Sequence, residues 1–262
     1  MAGARQGRLA ALRASIGRLE GGGGTAARVT LGHAGADAAL QGGLARGAIH
    51  EVFAGRACDN PAATGFLVGL ACRVMRQRPV LWVRQDFAAH EYGGVAMAGL
   101  AEAGFDPRRL VLVRAGDVEA ALRVAADALG CDALGAVVLE IWGETRRLDQ
   151  LASRKLTLAA QQSGVTGLLL RTSAAPSLGT SETRWVVHAA RSPPGPDQVA
   201  WGAPLFEACL VRNRHGPTGR WIMEWNCDEC LFREPAAHSQ PVAAASFDRP
   251  LETFGGATRR AG

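Results

Sequence analysis

The chain has 262 residues, 48% of them hydrophobic, and a formal net charge of +5 at pH 7. That apolar share excludes a disordered chain, and the length suits one α/β domain with a large core, burying roughly 70–75% of its unfolded surface. No run of about 18 apolar residues follows the N-terminal arginines or occurs elsewhere, so neither a membrane span nor a secretory leader is expected, and the cytoplasm is the expected setting.

Six cysteines are present, four of them (Cys58, Cys72, Cys131, Cys209) scattered in apolar stretches, which fits reduced thiols better than a disulfide frame. Of the 29 basic residues only Lys155 is not arginine. The positive balance is compatible with an acidic partner such as nucleic acid, but +5 spread over this surface is a weak signal.

In chain order, residues 5–20 place Leu9, Leu12, Ile16 and Leu19 at spacings of three and four, with Arg5, Arg8, Arg13 and Arg18 elsewhere on the cylinder. This predicts an amphipathic helix, tethered by Gly21–Gly24. Such a helix can dock on its own domain, on a neighbouring protomer or on a partner. Residues 43–75 then read as a turn, an apolar strand at 48–54, a loop of small and polar residues, and a helix at 61–77. Strands follow at 79–84, 109–115, 134–141 and 166–172, separated by helices at 91–103, 118–129 and 148–163. Near-continuous apolar strands alternating with long helices imply βαβ units, a parallel sheet covered on both faces, and right-handed crossovers. At 184–191, 206–213 and 221–226 the pattern turns to strict alternation, predicting antiparallel strands at one edge. The Pro- and Gly-rich stretch 193–204 is a loop. Residues 234–262 lack apolar periodicity and are expected to be a disordered tail, with a short linear motif around 247–254. The division is therefore a helix and linker at 1–24, a domain at 25–233 and a tail at 234–262.

Strand, small-residue loop, helix is the arrangement in which loop N–H groups and a helix N-terminus cradle phosphate. The motif that works there, G-x-x-x-x-G-K-[ST], supplies a lysine for the outer phosphates and a hydroxyl for magnesium. Here Gly55 is followed by Arg56, Ala57, Cys58, Asp59, Asn60, Pro61, Ala62 and Ala63, with no lysine. Gly55, Asn60 and Thr64 are left as a vestigial nucleotide site. Weak nucleotide binding at the helix N-terminus stays open, and no cofactor is expected. Cys227-Asp228-Glu229-Cys230 is a single C-x-x-C without a second pair, so no metal site follows. His33, His50, His90, His188 and His238 are dispersed, and no G-x-S-x-G, H-E-x-x-H or G-x-G-x-x-G occurs.

Several separate blocks resemble one family in the right order: LARGAIHEVF at 44–53, PVLWV at 79–83, LVLVR at 110–114, LASRKLTLAA at 151–160, SGVTGLLLR at 163–171, LVRNR at 210–214 and GRW at 219–221. Over about residues 43–226 the chain resembles the ImuA family of RecA/SulA-related proteins. The resemblance implies a RecA-like α/β core with a mostly parallel sheet, a degenerate P-loop and C-terminal antiparallel strands. It implies a non-catalytic accessory role in SOS-inducible translesion synthesis, beside an ImuB-type inactive Y-family polymerase and an error-prone C-family DNA polymerase. RecA, DNA and a second copy of the chain are further candidate partners. In a working RecA-type ATPase two acids assist the loop lysine, and Asp86 and Glu140 fall near their positions, each one methylene different in length. The RecA plan also places DNA-contacting loops near 143–148 and 173–184. That makes Arg146, Arg147, Arg154, Lys155 and Arg184 candidate DNA or partner contacts, while the absence of an aromatic inside either loop gives no base-stacking platform. Two other classes stay open: a DNA-stimulated ATPase or recombinase, and a SulA-like division inhibitor.

Overall fold

The computed structural model describes residues 27–177, 179–192 and 202–235. The helix expected at 5–20 and the tail segment from 236 onward lie outside the described residues. Strand β1 (Arg28–Val29) pairs with β2 (Leu44–Ala45) around a short helix, α1 (Ala34–Ala39). This helix starts at His33, whose Nδ1 accepts the Ala36 N–H at 3.3 Å. Its sequence, AGADAA, carries no apolar period, which is why patterning did not reveal it.

The body is one nine-stranded sheet. In chain order it comprises β3 (Ile49–Ala54), α2 (Asn60–Val74), β4 (Val80–Gln85), α3 (Asp86–Tyr92), α4 (Met97–Glu102), β5 (Leu110–Ala115), α5 (Val118–Leu129), β6 (Ala136–Trp142), α6 (Gln150–Ser163) and β7 (Thr166–Thr172). Strands β8 (Thr183–Ala189), β9 (Leu205–Asn213), β10 (Gly219–Asn226) and β11 (Leu231–Arg233) complete it. The spatial order is β11-β10-β9-β8-β3-β7-β6-β4-β5. The six strands from β8 to β5 are parallel, and β9, β10 and β11 add antiparallel pairs. Strand β8 corrects one expectation: it alternates like an antiparallel strand but runs parallel to β3, and the direction reverses only at β9.

The sheet separates two cores. On one face α2 buries Phe66, Leu67 and Leu70 against Trp185, Phe206 and Phe232, with the Phe66 and Phe232 rings 5.1 Å apart. On the other, Ala125 and Leu129 of α5 and Leu156 of α6 pack on Val137, Leu139 and Leu169. Helix α6 begins at Asp149, whose carboxylate accepts the Ala152 N–H at 2.8 Å, and ends at the left-handed Gly164 (φ 76°). The helix expected at 91–103 is instead two short ones, α3 and α4. Gly93 (φ 75°) and Gly94 break it, and the Arg84 guanidinium holds the Gly93 carbonyl. Among the described residues no helix is long and apolar enough to cross a membrane.

Candidate functional site

The loop after β3 stands at the carboxyl edge of the parallel strands, where open α/β sheets bind ligands. In the phosphate-binding frame that starts at Gly55, the sixth, seventh and eighth places are Asn60, Pro61 and Ala62. The loop carries its own anion, tied down to β8. Asp59 is fully buried, and its carboxylate accepts hydrogen bonds from Arg56 Nε (3.0 Å), the His188 Nδ1 (2.9 Å) and the Ala189 backbone N–H (3.1 Å). The Arg56 guanidinium, helped by those other donors, holds the Asp59 carboxyl well below the usual carboxylate range. Gly55 lies so close to the His188 imidazole that any side chain there would run into the ring. A carboxylate with three donors around it occupies the loop, and a second anion entering would meet its charge. Asn60, the first residue of α2, is buried with neither amide atom bonded to any described residue, and Thr64 is half-buried one turn on.

The two expected acids do not converge. Glu140 on β6 is buried, receiving Arg84 Nε at 2.8 Å and Trp82 Nε1 at 3.1 Å. Burial pushes the Glu140 carboxyl up, and Arg84 opposes that rise. Arg84 also reaches the Ala88 carbonyl at 3.3 Å, so the pair clamps α3 to the strand ends. Asp86 opens α3 and has a partner of its own, Arg114 Nε of β5 at 2.8 Å, Arg114 being the cross-strand neighbour of Arg84. Both acids are thus engaged by arginines.

No family model matches the sequence. Two curated relatives, both named Protein ImuA, come from Caulobacter vibrioides strains NA1000 / CB15N and ATCC 19089 / CIP 103742 / CB 15. Each is 33% identical over 199 residues, spanning 70% of this chain and 77% of the relative. The chain belongs to the ImuA family. Among solved structures, the crystal structure of the RadB recombinase matches with a TM-score of 0.52 at 16% identity, covering 79% of this chain and 99% of the other. That likeness shows the fold, which is RecA-like.

In this member of the ImuA family the candidate contact arginines divide. Arg146, Arg147, Arg154 and Lys155 are exposed, Arg147 lying 3.7 Å from Glu119. Arg184 is buried and committed to Glu51 at 2.5 Å, with Ser181 on the same carboxylate, so it offers no surface contact. Its neighbour Arg171 on β7 is only 3% exposed and has no salt-bridge partner among the described residues. Its Nε is without a hydrogen-bond partner, as are Thr172 Oγ1 and Trp142 Nε1 beside it. Burial lowers the Arg171 pKa. Sequence reading missed this cluster, since RT at the end of an apolar strand carries no motif. It missed as well the aromatics that α3 brings to the same edge. Phe87 packs on Trp142 with ring centroids 4.5 Å apart, and the Tyr92 hydroxyl meets Ser173 Oγ at 3.0 Å. Cys227 and Cys230 sit against Cys72 of α2, whose thiol burial pushes up to about 12, and among the described residues no metal-binding group forms.

Proposed function

We propose that this chain is a non-catalytic accessory protein of damage-inducible translesion DNA synthesis, a RecA-like body that acts by holding protein partners. One observation carries the reading: the Asp59 carboxylate, fixed by Arg56, His188 and Ala189, puts an anion of the chain's own in the loop that follows β3. Phosphoryl transfer depends on positioning and on neutralising the phosphate charge. A loop with an internal anion and no lysine supplies neither, which supports a body that performs no hydrolysis. Membership in the ImuA family supports the setting. The partners we propose are an ImuB-type inactive Y-family polymerase and an error-prone C-family polymerase, in the cytoplasm. Affinity capture of the tagged chain from damage-induced cells tests this. Recovery of both polymerase-like proteins is the expected result, and recovery of neither overturns the reading.

A further inference from the structure

Among the described residues, the helical layer that holds α5 and α6 stops short of one end of the sheet. Those helices pack against β3, β4, β5, β6 and β7. Farther along, the same face of the sheet is formed by β8, β9 and β10. Glu51 and Arg184 project on the α6 side, because the space at Gly179 brings Arg184, Ser153 of α6 and Glu51 together. Two residues along, Val186 projects there too, and the cross-strand register sets Cys209 and Arg220 beside it, then Glu207 and Ile222 beside His188. Here Val211 and Ile222 are 47% and 39% exposed, whereas the opposite face of the same strands buries Trp185, Ala208, Leu210 and Met223. Antiparallel strands can leave one face to water, so bareness alone decides nothing. The start of the described chain does bear on it.

Ala27 accepts the Arg46 N–H at 2.8 Å, and the next residue, Gly47, touches Gly164 at the end of α6. The chain before Ala27 therefore departs from the amino end of β3, beside the foot of α6 and one strand from β8. Residues 21–26 can bridge up to about 20 Å, several times the ~4.8 Å between neighbouring strands. Sixteen residues at 5–20 make a helix of about 24 Å, close to the length of a seven-to-nine-residue strand. That segment carries the stripe Leu9, Leu12, Ile16 and Leu19 and the cations Arg5, Arg8, Arg13 and Arg18. The bare face offers Val186, Cys209, Val211 and Ile222, with the carboxylate of Glu224 and the ion pair of Glu207 with Arg220 at 2.6 Å.

We propose that the N-terminal segment 5–20 of the same chain docks as a helix on the open face of β8, β9 and β10, next to α6, completing the second helical layer. Its leucine and isoleucine stripe covers Val211, Ile222 and Cys209, and its arginines face Glu224. This goes beyond the proposed accessory role and stands or falls separately from it.

Cys209 is the reporter. In the intact chain its thiol is alkylated by a maleimide about tenfold more slowly than in a full-length Leu12→Glu/Ile16→Glu chain, read residue by residue by peptide mapping. Val211→Glu, which alters the receiving face and leaves the segment alone, is expected to raise Cys209 labelling in the same way. The exposed Cys131 serves as an internal standard for reagent, and Cys72, packed inside against α2's core, reports intact folding by staying slow in all three chains. Equal Cys209 rates in all three chains overturn the proposal. A bismaleimide crosslink in an Ile16→Cys chain is expected to join position 16 to Cys209 within one chain. Crosslinks formed only between isotopically distinct chains overturn it in favour of exchange between copies.

Discussion

The loop after β3 and the strand ends of β6 and β7 share one carboxyl edge of the sheet, yet they treat their charged groups in opposite ways. In the loop every charge is matched, with Asp59 receiving Arg56, His188 and Ala189. One strand away Arg171 and Thr172, and Trp142 on the strand beyond, keep donors that no described residue accepts, as the Asn60 amide does at the start of α2. A buried polar group without a partner costs free energy, so it persists where something other than stability retains it. At one edge of a RecA-like sheet, then, the Asp59 charge is matched internally, while Arg171 keeps a buried charge without a carboxylate.

The largest effect is expected where the charge pairing is most deeply buried. Removing one side of the buried pair, as in Glu140→Ala, strands Arg84 and is expected to cost about 3–5 kcal/mol in denaturant unfolding. A loss below about 1 kcal/mol would mean that Glu140 is not structural and would reopen a role for it in chemistry.

Acidification comes next. His50 is wholly buried, its Nε2–H donating to the Ala45 carbonyl and its Nδ1 accepting from the Thr183 hydroxyl, both at 2.8 Å. The carbonyl can only accept, which puts the neutral ring's one proton on Nε2; the hydroxyl also accepts from Trp185 Nε1 at 3.1 Å. Burial lowers the His50 pKa from 6.5 to about 4. The unfolded chain therefore binds a proton that the native chain refuses between those values. Its stability contribution is complete above pH 6.5 and is lost as pH falls toward 4, by about 3 kcal/mol. A His50→Gln chain, measured by thermal unfolding from pH 7 to pH 4, should show a shallower decline than the parent.

Asp59→Ala leaves three donors without their acceptor and is expected to cost about 1–3 kcal/mol. The smallest change is expected at the opposite pole of the comparison. Arg171→Met removes a buried cation that lacks a carboxylate, so stability should move by no more than about 1 kcal/mol. A loss several times larger would show that Arg171 is matched after all, and the contrast between the two regions would fail.

How far the sequence revealed this depends on the physical signal. Apolar runs such as AVVLEI and GLLLR are buried on both sides, and their strands were legible at once. Strand β8 misled because its alternation arises from Glu51 and the exposed face, while its direction is set by pairing with β3, which patterning does not encode. The missing lysine was visible as a gap in a motif. What replaced it was not, because Asp59 and His188 are 129 residues apart and meet only when β8 lies beside β3. Arg184 looked like a loop-end surface cation, and nothing local foretold its burial against Glu51, 133 residues away. The aromatic edge escaped for a related reason, since Phe87 stands on α3 rather than in the loops where a platform was sought.

Phosphate release from ATP and magnesium, measured on the pure full-length chain with and without single-stranded DNA, tests the central claim most directly. With Asp59 seated in its own loop, release should stay at the level of the buffer under both conditions. Sustained turnover that DNA stimulates and that Asp86→Asn abolishes in a folded chain would contradict it.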